Sequence, residues 1–173
     1  MGNRHALNAL VAIAASRGDF LEARTFQERV VMLMRESQLI PAETVQEEIA
    51  LAELELMCAE PLLARQRLAT ADVAEIVRVG DLPGAAEALR IFAMYLASSG
   101  ALEEAAFLIG AYGRLHRETG ISTLTQVTAR VEALVGDLRR QLGEEQFDRI
   151  AATGAAAAAM ELVSELPTRL TAR

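Results

Sequence analysis

Residue types suited to catalysis are few and scattered in this sequence. All 17 basic residues are arginine, so the chain can supply neither the lysine of a Walker A loop nor a Schiff-base lysine. His5 and His116 lie far apart, and the sequence predicts no partner beside either for a triad or a metal site. We therefore expect no catalytic residue, no metal, no cofactor and no enzymatic activity.

The single cysteine and the paired carboxylates do not predict a catalytic site either. The single Cys58 has no second thiol for a disulfide, which predicts a packing role in a reducing, cytoplasmic environment. The pairs Glu47-Glu48 and Glu103-Glu104 are neighbours in sequence, and neighbouring side chains on a helix point in different directions. They are poorly placed to act together as acid and base.

Charge and hydropathy exclude two classes of partner. The formal net charge is −7, whereas sequence-independent binding to nucleic acid requires a positively charged face. No apolar run approaches the roughly 20 residues that span a bilayer, and no signal peptide is recognised at the start of the sequence. The sequence predicts a cytoplasmic protein that binds neither nucleic acid directly nor a membrane.

A 41-residue repeat organises the first two thirds of the chain. Glycines at 18 and 100 each precede an alanine by five positions, and Ala59 occupies the middle equivalent. The alanines that follow are Ala23, Ala64 and Ala105. Two apolar columns share this step: Leu10, Leu51 and Phe92, and Ile13, Leu54 and Tyr95. Such a period predicts stacked supersecondary units, with the small alanine allowing close helix approach.

Each repeat is predicted to be a helical hairpin, because apolar residues recur at spacings of three and four and glycine or proline separates the segments. The predicted helices are 4–17, 20–37, 42–59, 61–79, 84–99 and 101–119. Residues 1–120 would then hold three hairpins, 4–37, 42–79 and 84–119. The predicted fold is an all-α superhelix similar to tetratricopeptide repeats (TPR-like).

Residues 121–173 depart from the repeat and are predicted to cap the same domain. An amphipathic helix is expected from Leu124 to Leu142, followed by a short helix from Glu144 to Ala152. Gly154 is expected to interrupt the chain, and a last helix would run from residue 155 to residue 166, before Pro167. The final unit of a stack must hide its core, so a different sequence is expected there.

Segments 18–24, 105–120 and 133–147 resemble a family of large bacterial signalling ATPases with LuxR-type or SARP-type regulator domains. The resemblance lies in the TPR-like region C-terminal to their nucleotide-binding domain, and it is strongest from about residue 93 onward. It implies the sensor or scaffold portion of a transcriptional or signalling regulator. This chain has no P-loop and no recognisable helix-turn-helix, so the resemblance implies neither ATP hydrolysis nor DNA binding.

The concave face of such a stack is its usual binding surface, and it is lined by the first helix of each hairpin. The residues predicted to face it are His5, Asn8, Ala12, Ser16, Gln46, Glu53, Met57, Glu87, Arg90, Met94 and Ser98. One hypothesis is a protein-interaction module that binds a protein, a peptide or other domains of a parent regulator. The alternative is an inducer-sensing groove for a small molecule. Apolar surface at the N-terminal end also predicts a homodimer.

Overall fold

Strong helix formers dominate the sequence, and the fold is helical accordingly. The computed structural model describes residues 2–37, 41–120 and 125–171, and contains no β-strand in those ranges. The helices are α1 (Gly2–Ser16), α2 (Phe20–Ser37), α3 (Pro41–Met57), α4 (Pro61–Thr70), α5 (Val73–Val79), α6 (Leu82–Ser98), α7 (Leu102–Thr119), α8 (Thr125–Leu142), α9 (Glu144–Ala156) and α10 (Ala159–Thr171). The predicted all-α class is confirmed.

Three hairpin turns, 41 residues apart, have the same backbone geometry. Gly18, Ala59 and Gly100 each adopt a left-handed conformation, with φ of 77°, 58° and 84°. In each turn this residue's amide donates to the carbonyl three positions back, and the next amide donates to the carbonyl five positions back. That pair of bonds is the Schellman motif, which ends a helix by satisfying its last carbonyls. Ala59 follows the glycine pattern although it carries a side chain.

The alanine after each turn begins the packing of its hairpin. Ala23, Ala64 and Ala105 are all fully buried. Their amides donate to the carbonyls at 19, 60 and 101, which starts each second helix in the same way. The pairs α1/α2, α3/α4 and α6/α7 pack together on these turns. The 41-residue step in the sequence is therefore a step between matching turns in space.

Helix α6 forms the centre of the main core, and its side chains meet apolar residues of α3, α4, α5, α7 and α10. Helix α9 covers the other side of α7 at a close crossing. Gly110 of α7 lies against the backbone of Ala151, and Gly154 of α9 lies against the backbone of Phe107. A Cβ atom at either glycine would overlap a carbonyl oxygen of the facing helix. The two glycines therefore set the distance between the helices.

The last helix returns to the middle of the chain. Helix α10 packs against α4, α5 and α6, with Leu162, Val163 and Leu166 buried among their side chains. At its end the Arg65 guanidinium donates from Nη2 to the Leu170 carbonyl at 3.2 Å. The C-terminal segment thus completes the core of the second and third hairpins.

Helix α4 ends earlier than predicted, because the expected helix 61–79 is interrupted. Ala71 is extended, with φ −64° and ψ 126°, and Asp72 precedes the new helix α5. The change of direction lets Val73 and Ile76 reach the core, where both are buried. The helical spacing of apolar residues in the sequence gives no sign of such a change of direction.

The C-terminal helices also differ from the prediction. Gly154 does not interrupt the chain but lies inside α9, where the crossing with α7 requires it. Helix α10 begins at Ala159 and continues through Pro167 to Thr171. A proline within a helix removes one hydrogen bond, and burial of Leu166 and Leu170 on either side offsets that loss. The predicted start of α8 at Leu124 lies outside the described residues.

The remaining helix ends fall close to their predicted positions, within two residues for α1, α2, α3, α6 and α7. Within the described ranges, none of these helices combines the length and the apolarity that crossing a bilayer would require.

Candidate functional site

A cleft separates α8 from the first helices of the hairpins. It consists of two cavities that share Met57 and Arg130. The first, of about 350 Å³, is lined by Met94 and Ser98 of α6 and by Leu134 and neighbouring residues of α8. The second, of about 250 Å³, lies among α1, α2, α3 and the start of α8. We call the wall formed by α1, α3 and α6 the A-helix face.

A cluster of charged side chains lies at the base of the cleft. Arg90 of α6 is fully buried and binds Glu53 of α3 through two parallel hydrogen bonds, Nη1 to Oε1 and Nη2 to Oε2, both 2.7 Å. Its Nε donates to Glu87 Oε2 at 3.0 Å, and Nη2 also donates to Glu87. Arg130 of α8 brings its Nε to 3.1 Å from Glu53 Oε1, as an ion pair without good hydrogen-bond alignment. Two cations therefore balance two anions.

Burial and pairing together fix the charges of this cluster. Burial lowers the pKa of Arg90, but the hydrogen bonds and charges of Glu53 and Glu87 outweigh it and raise the pKa above its usual value. Burial likewise raises the pKa of Glu53, and the paired Arg90 with the nearby Arg130 outweighs it, so that the net shift is downward. Both groups remain ionised at neutral pH, so the cluster holds charges rather than exchanging protons.

Several predicted groove residues line the cleft. Asn8, Glu53 and Met57 line the smaller cavity, and Met57, Met94 and Ser98 line the larger one. Ala12 also lines the smaller cavity. Asn8 donates from Nδ2 to Glu47 Oε1 at 3.3 Å, while its buried Oδ1 has no hydrogen-bond partner among the described residues.

The other predicted groove residues lie below the cleft or apart from it. Arg90 and Glu87 support it through the charged cluster. His5 and Ser16 are exposed on α1, where the Ser16 hydroxyl donates to the Ile13 carbonyl at 2.7 Å. Gln46 donates to the Asp81 carboxylate, which also accepts from the Gly84 amide and so caps α6. Gln46 thus ties α3 to the start of α6.

Sequence reasoning missed the second wall of the cleft. Helix α8 contributes Arg130 and Leu134 to the larger cavity and Val127 to the smaller one. The amphipathic spacing of α8 is visible in the sequence, but it predicts only a helix that caps the repeats. Nothing in that spacing indicates which helices α8 packs against, which in the structure are α6, α7 and α9.

The described residues contain no group of three or more histidine, cysteine or acidic side chains that could hold a metal. Burial raises the pKa of the Cys58 thiol, and nearby Glu60 and Glu55 add to this, against the opposing effect of Arg24. A raised thiol pKa disfavours the nucleophilic thiolate. His116 lies near Tyr112, with ring centroids 5.5 Å apart and the rings tilted, and its buried Nε2 has no hydrogen-bond partner within the described ranges.

Comparison with known proteins gives no match: no family model, no curated protein and no solved structure is significantly similar to this chain. The resemblance to bacterial signalling regulators stays a prediction from the sequence.

Proposed function

We propose that this chain is a non-catalytic, TPR-like protein-interaction module, and that the cleft between α8 and the A-helix face binds a helical segment of a partner protein. The observation that carries the proposal is the packing of α8 itself. An amphipathic helix of the chain, α8, already contacts this face at α6 and pairs its Arg130 with Glu53 of α3, although Leu138 is its only buried residue within the described ranges. A face that receives one amphipathic helix offers the spacing that helix-in-groove recognition uses.

The chemistry of the cleft fits an amphipathic partner. Apolar and methionine side chains, such as Met57, Met94 and Leu134, can adapt to different apolar residues. The charges beneath them are balanced, so the cleft does not call for a strongly charged ligand. The resemblance of the sequence to bacterial regulators favours a cytoplasmic transcriptional or signalling regulator as the parent protein.

Site-specific photo-cross-linking tests this function. A photoreactive amino acid placed at Ser98 or Gln141, both of which line the larger cavity, should cross-link one and the same protein in the native host. The matched control is Leu62, which is exposed on α4 and lines neither cavity. Met94→Glu should abolish the cross-link without unfolding the chain. Cross-links that form equally well from position 62, or that survive Met94→Glu, would contradict the proposal.

The cavity volumes favour a small-molecule sensor as a second candidate. At about 350 and 250 Å³ the two cavities fall at or just below the small end of the range for ligand sites, which begins near 300 Å³. A ligand that prefers the native state raises its stability, so a library of small metabolites should shift the melting temperature of the chain and leave Met94→Glu unaffected. Stabilisation by a small molecule with no cross-linked protein would favour this candidate over the first.

A further inference from the structure

Helix α8 is attached firmly at its C-terminal end and loosely before it. Near that end Leu138 is buried in the main core, and Arg139 binds Asp148 of α9 at 2.7 Å. By contrast, no residue from 125 to 135 is buried, although some of the apolar ones, such as Val131, pack partly against the core. We call residues 125–135 the lid segment.

Empty space lies beneath the lid segment. Its Leu134 lines the cavity of about 350 Å³ together with Met94 of α6, and its Val127 lines the cavity of about 250 Å³ together with Leu54 of α3. Side chains that border a void make fewer van der Waals contacts than fully packed ones. Segments with few such contacts are the ones that open most readily in a folded protein.

Arg130 joins the lid segment to the A-helix face by an ion pair of poor geometry. Its Nε lies 3.1 Å from Glu53 Oε1, yet this buried Nε has no hydrogen-bond partner within the described ranges. Glu53 also accepts two parallel hydrogen bonds from Arg90, both 2.7 Å, and these do not involve α8. Departure of Arg130 would therefore leave the buried acid paired and the base of the cleft intact.

Gly136 follows the lid segment directly. After proline, glycine is the residue least suited to the interior of a helix. A Cβ atom at Gly136 would meet no atom within 4 Å, so no neighbouring helix requires glycine there. At Gly110 and Gly154, by contrast, a Cβ atom would overlap a facing backbone. Gly136 is therefore a weak point of α8 that serves no packing purpose.

The two cavities are too small for the helical partner proposed above. A helix with its side chains is about 10 Å across, so two turns occupy about 800 Å³. This exceeds the 350 and 250 Å³ of the two cavities taken together. A helix can reach Met57 and Met94 at the base of the cleft only if the lid segment moves.

We propose that α8 is a lid on the cleft: the lid segment moves away from the A-helix face about Gly136, while Leu138 stays in the core. The ion pair between Arg130 and Glu53 holds the lid closed. The inference rests on the proposed function for what enters, a helical segment of a partner protein. The motion itself is a property of this chain alone.

Hydrogen exchange of the isolated chain, followed by NMR, tests the motion without any partner. A detached segment this short does not keep its helix in water, so its amides exchange when the lid opens. Arg130→Glu places a carboxylate against Glu53 and should speed exchange at residues 129–135 by at least about tenfold, while the amides of α6 keep their rates. Gly136→Ala strengthens the helix and should slow the same amides by about fourfold.

The matched control is a charge reversal at an exposed arginine of the same helix. Arg140 pairs with Asp137 on the surface, and Arg140→Glu should change exchange at residues 129–135 by less than about twofold. Exchange that Arg130→Glu leaves unchanged, or that Arg140→Glu accelerates equally, would overturn the lid.

Distances between spin labels distinguish a moving lid from a fraying helix end. In a Cys58→Ser background, labels at the exposed positions Ala129 and Leu62 should show a second distance in Arg130→Glu. Labels at Arg140 and Leu62 should keep a single distance, because the C-terminal end of α8 stays in place. A second distance from both pairs would mean that α8 detaches as a whole, which contradicts the hinge.

Cross-linking then separates the lid from the partner. With the photoreactive residue at Ser98, Arg130→Glu should raise the yield of the cross-linked protein severalfold, because the cleft is open more often. An unchanged yield would show that the lid does not control entry. If no protein is cross-linked from either variant while exchange responds as described, the lid stands and the helical partner is wrong.

Discussion

Helices α1 and α6 are equivalent in the repeat, yet they differ sharply in burial. Among the described side chains of α1 only Ala14 is buried, whereas eleven residues of α6 are buried. Both helices carry apolar residues at the same repeat positions. The contribution of a repeat residue to stability is therefore set by the helices around it, and the periphery of the molecule (α1 and α8) is held by far fewer contacts than its centre.

The largest expected effect comes from truncating the central column. Phe92→Ala should lower the free energy of unfolding by about 3–5 kcal/mol, because it leaves a cavity in the main core. Leu10→Ala, its repeat equivalent on α1, should cost only about 0.5 kcal/mol, because the side chain is 40% exposed to solvent. Urea denaturation measures both. Equal losses would show that α1 and α6 are not different in the way described.

Removal of the buried cation is expected to cost slightly less. Arg90→Met should destabilise the fold by about 3 kcal/mol, since it removes the cation that binds Glu53 and Glu87 and leaves Glu53 only its poorly aligned ion pair with Arg130. Arg78→Met, which breaks the exposed pair with Glu75, should leave the denaturation midpoint unchanged. The double variant Arg90→Met, Glu53→Met should recover much of the loss, because apolar residues then replace both buried charges. A double variant as unstable as Arg90→Met alone would contradict this account.

The close glycine crossing of α7 and α9 provides a third comparison between the centre of the molecule and its periphery. Gly154→Ala should cost about 2–3 kcal/mol, because its Cβ would overlap the Phe107 carbonyl and push α9 from α7. Gly136→Ala, on α8, adds a Cβ that meets no atom within 4 Å and should instead stabilise by up to about 1 kcal/mol. Thermal unfolding of the two variants should therefore shift in opposite directions.

Acid should weaken the centre of the molecule through Glu53. The folded-state pKa of Glu53 is lowered, so its contribution to stability is complete above the unfolded-state pKa, near 4.5, and is lost as the pH falls through the folded value. The free energy of unfolding should thus fall below about pH 4.5. Glu53→Gln should remove that share of the slope, which a pH series of urea denaturations measures. An unchanged slope would mean that the carboxyl does not titrate with unfolding.

The smallest effect concerns the three matched turns. Ala59→Gly should stabilise the fold by about 1 kcal/mol, because the left-handed conformation strains a residue with a side chain. Gly18→Ala should cost a similar amount at the peripheral turn, since φ is positive there too. If the two changes fail to differ in sign under thermal denaturation, the turns are not equivalent.

The sequence was sufficient to predict the all-α class and the bounds of α1, α2, α3, α6 and α7 to within two residues, because local signals determine both. Glycine at the turns, proline in first turns and apolar spacing act within a few residues of one another. The bend at Ala71 and the role of Gly154 were missed, since each depends on contacts with helices distant in sequence. From the sequence alone, a glycine predicts a helix break. Its role in the close approach of two helices becomes apparent only when the facing helix is known.

The candidate site was predicted in part for the same reason. The repeat register indicated one wall, which includes Asn8, Met57 and Met94. The wall supplied by α8 required knowledge of how that helix packs after the repeat ends. The pairing of Glu53 with Arg90, 37 positions apart, likewise follows from the contact between α3 and α6 rather than from any local pattern.

The return of α10 to the middle of the molecule has a consequence for biosynthesis. The bond between Arg65 and Leu170 joins residues 105 positions apart, and the core around α4, α5 and α6 lacks a side until α10 is present. Because the ribosome synthesises the chain from its N-terminus, the second and third hairpins emerge before α10. Their apolar surface therefore stays exposed until α10 has been made. Contacts between residues so far apart in sequence slow folding compared with a strictly linear repeat array, in which each new repeat packs on the one before it.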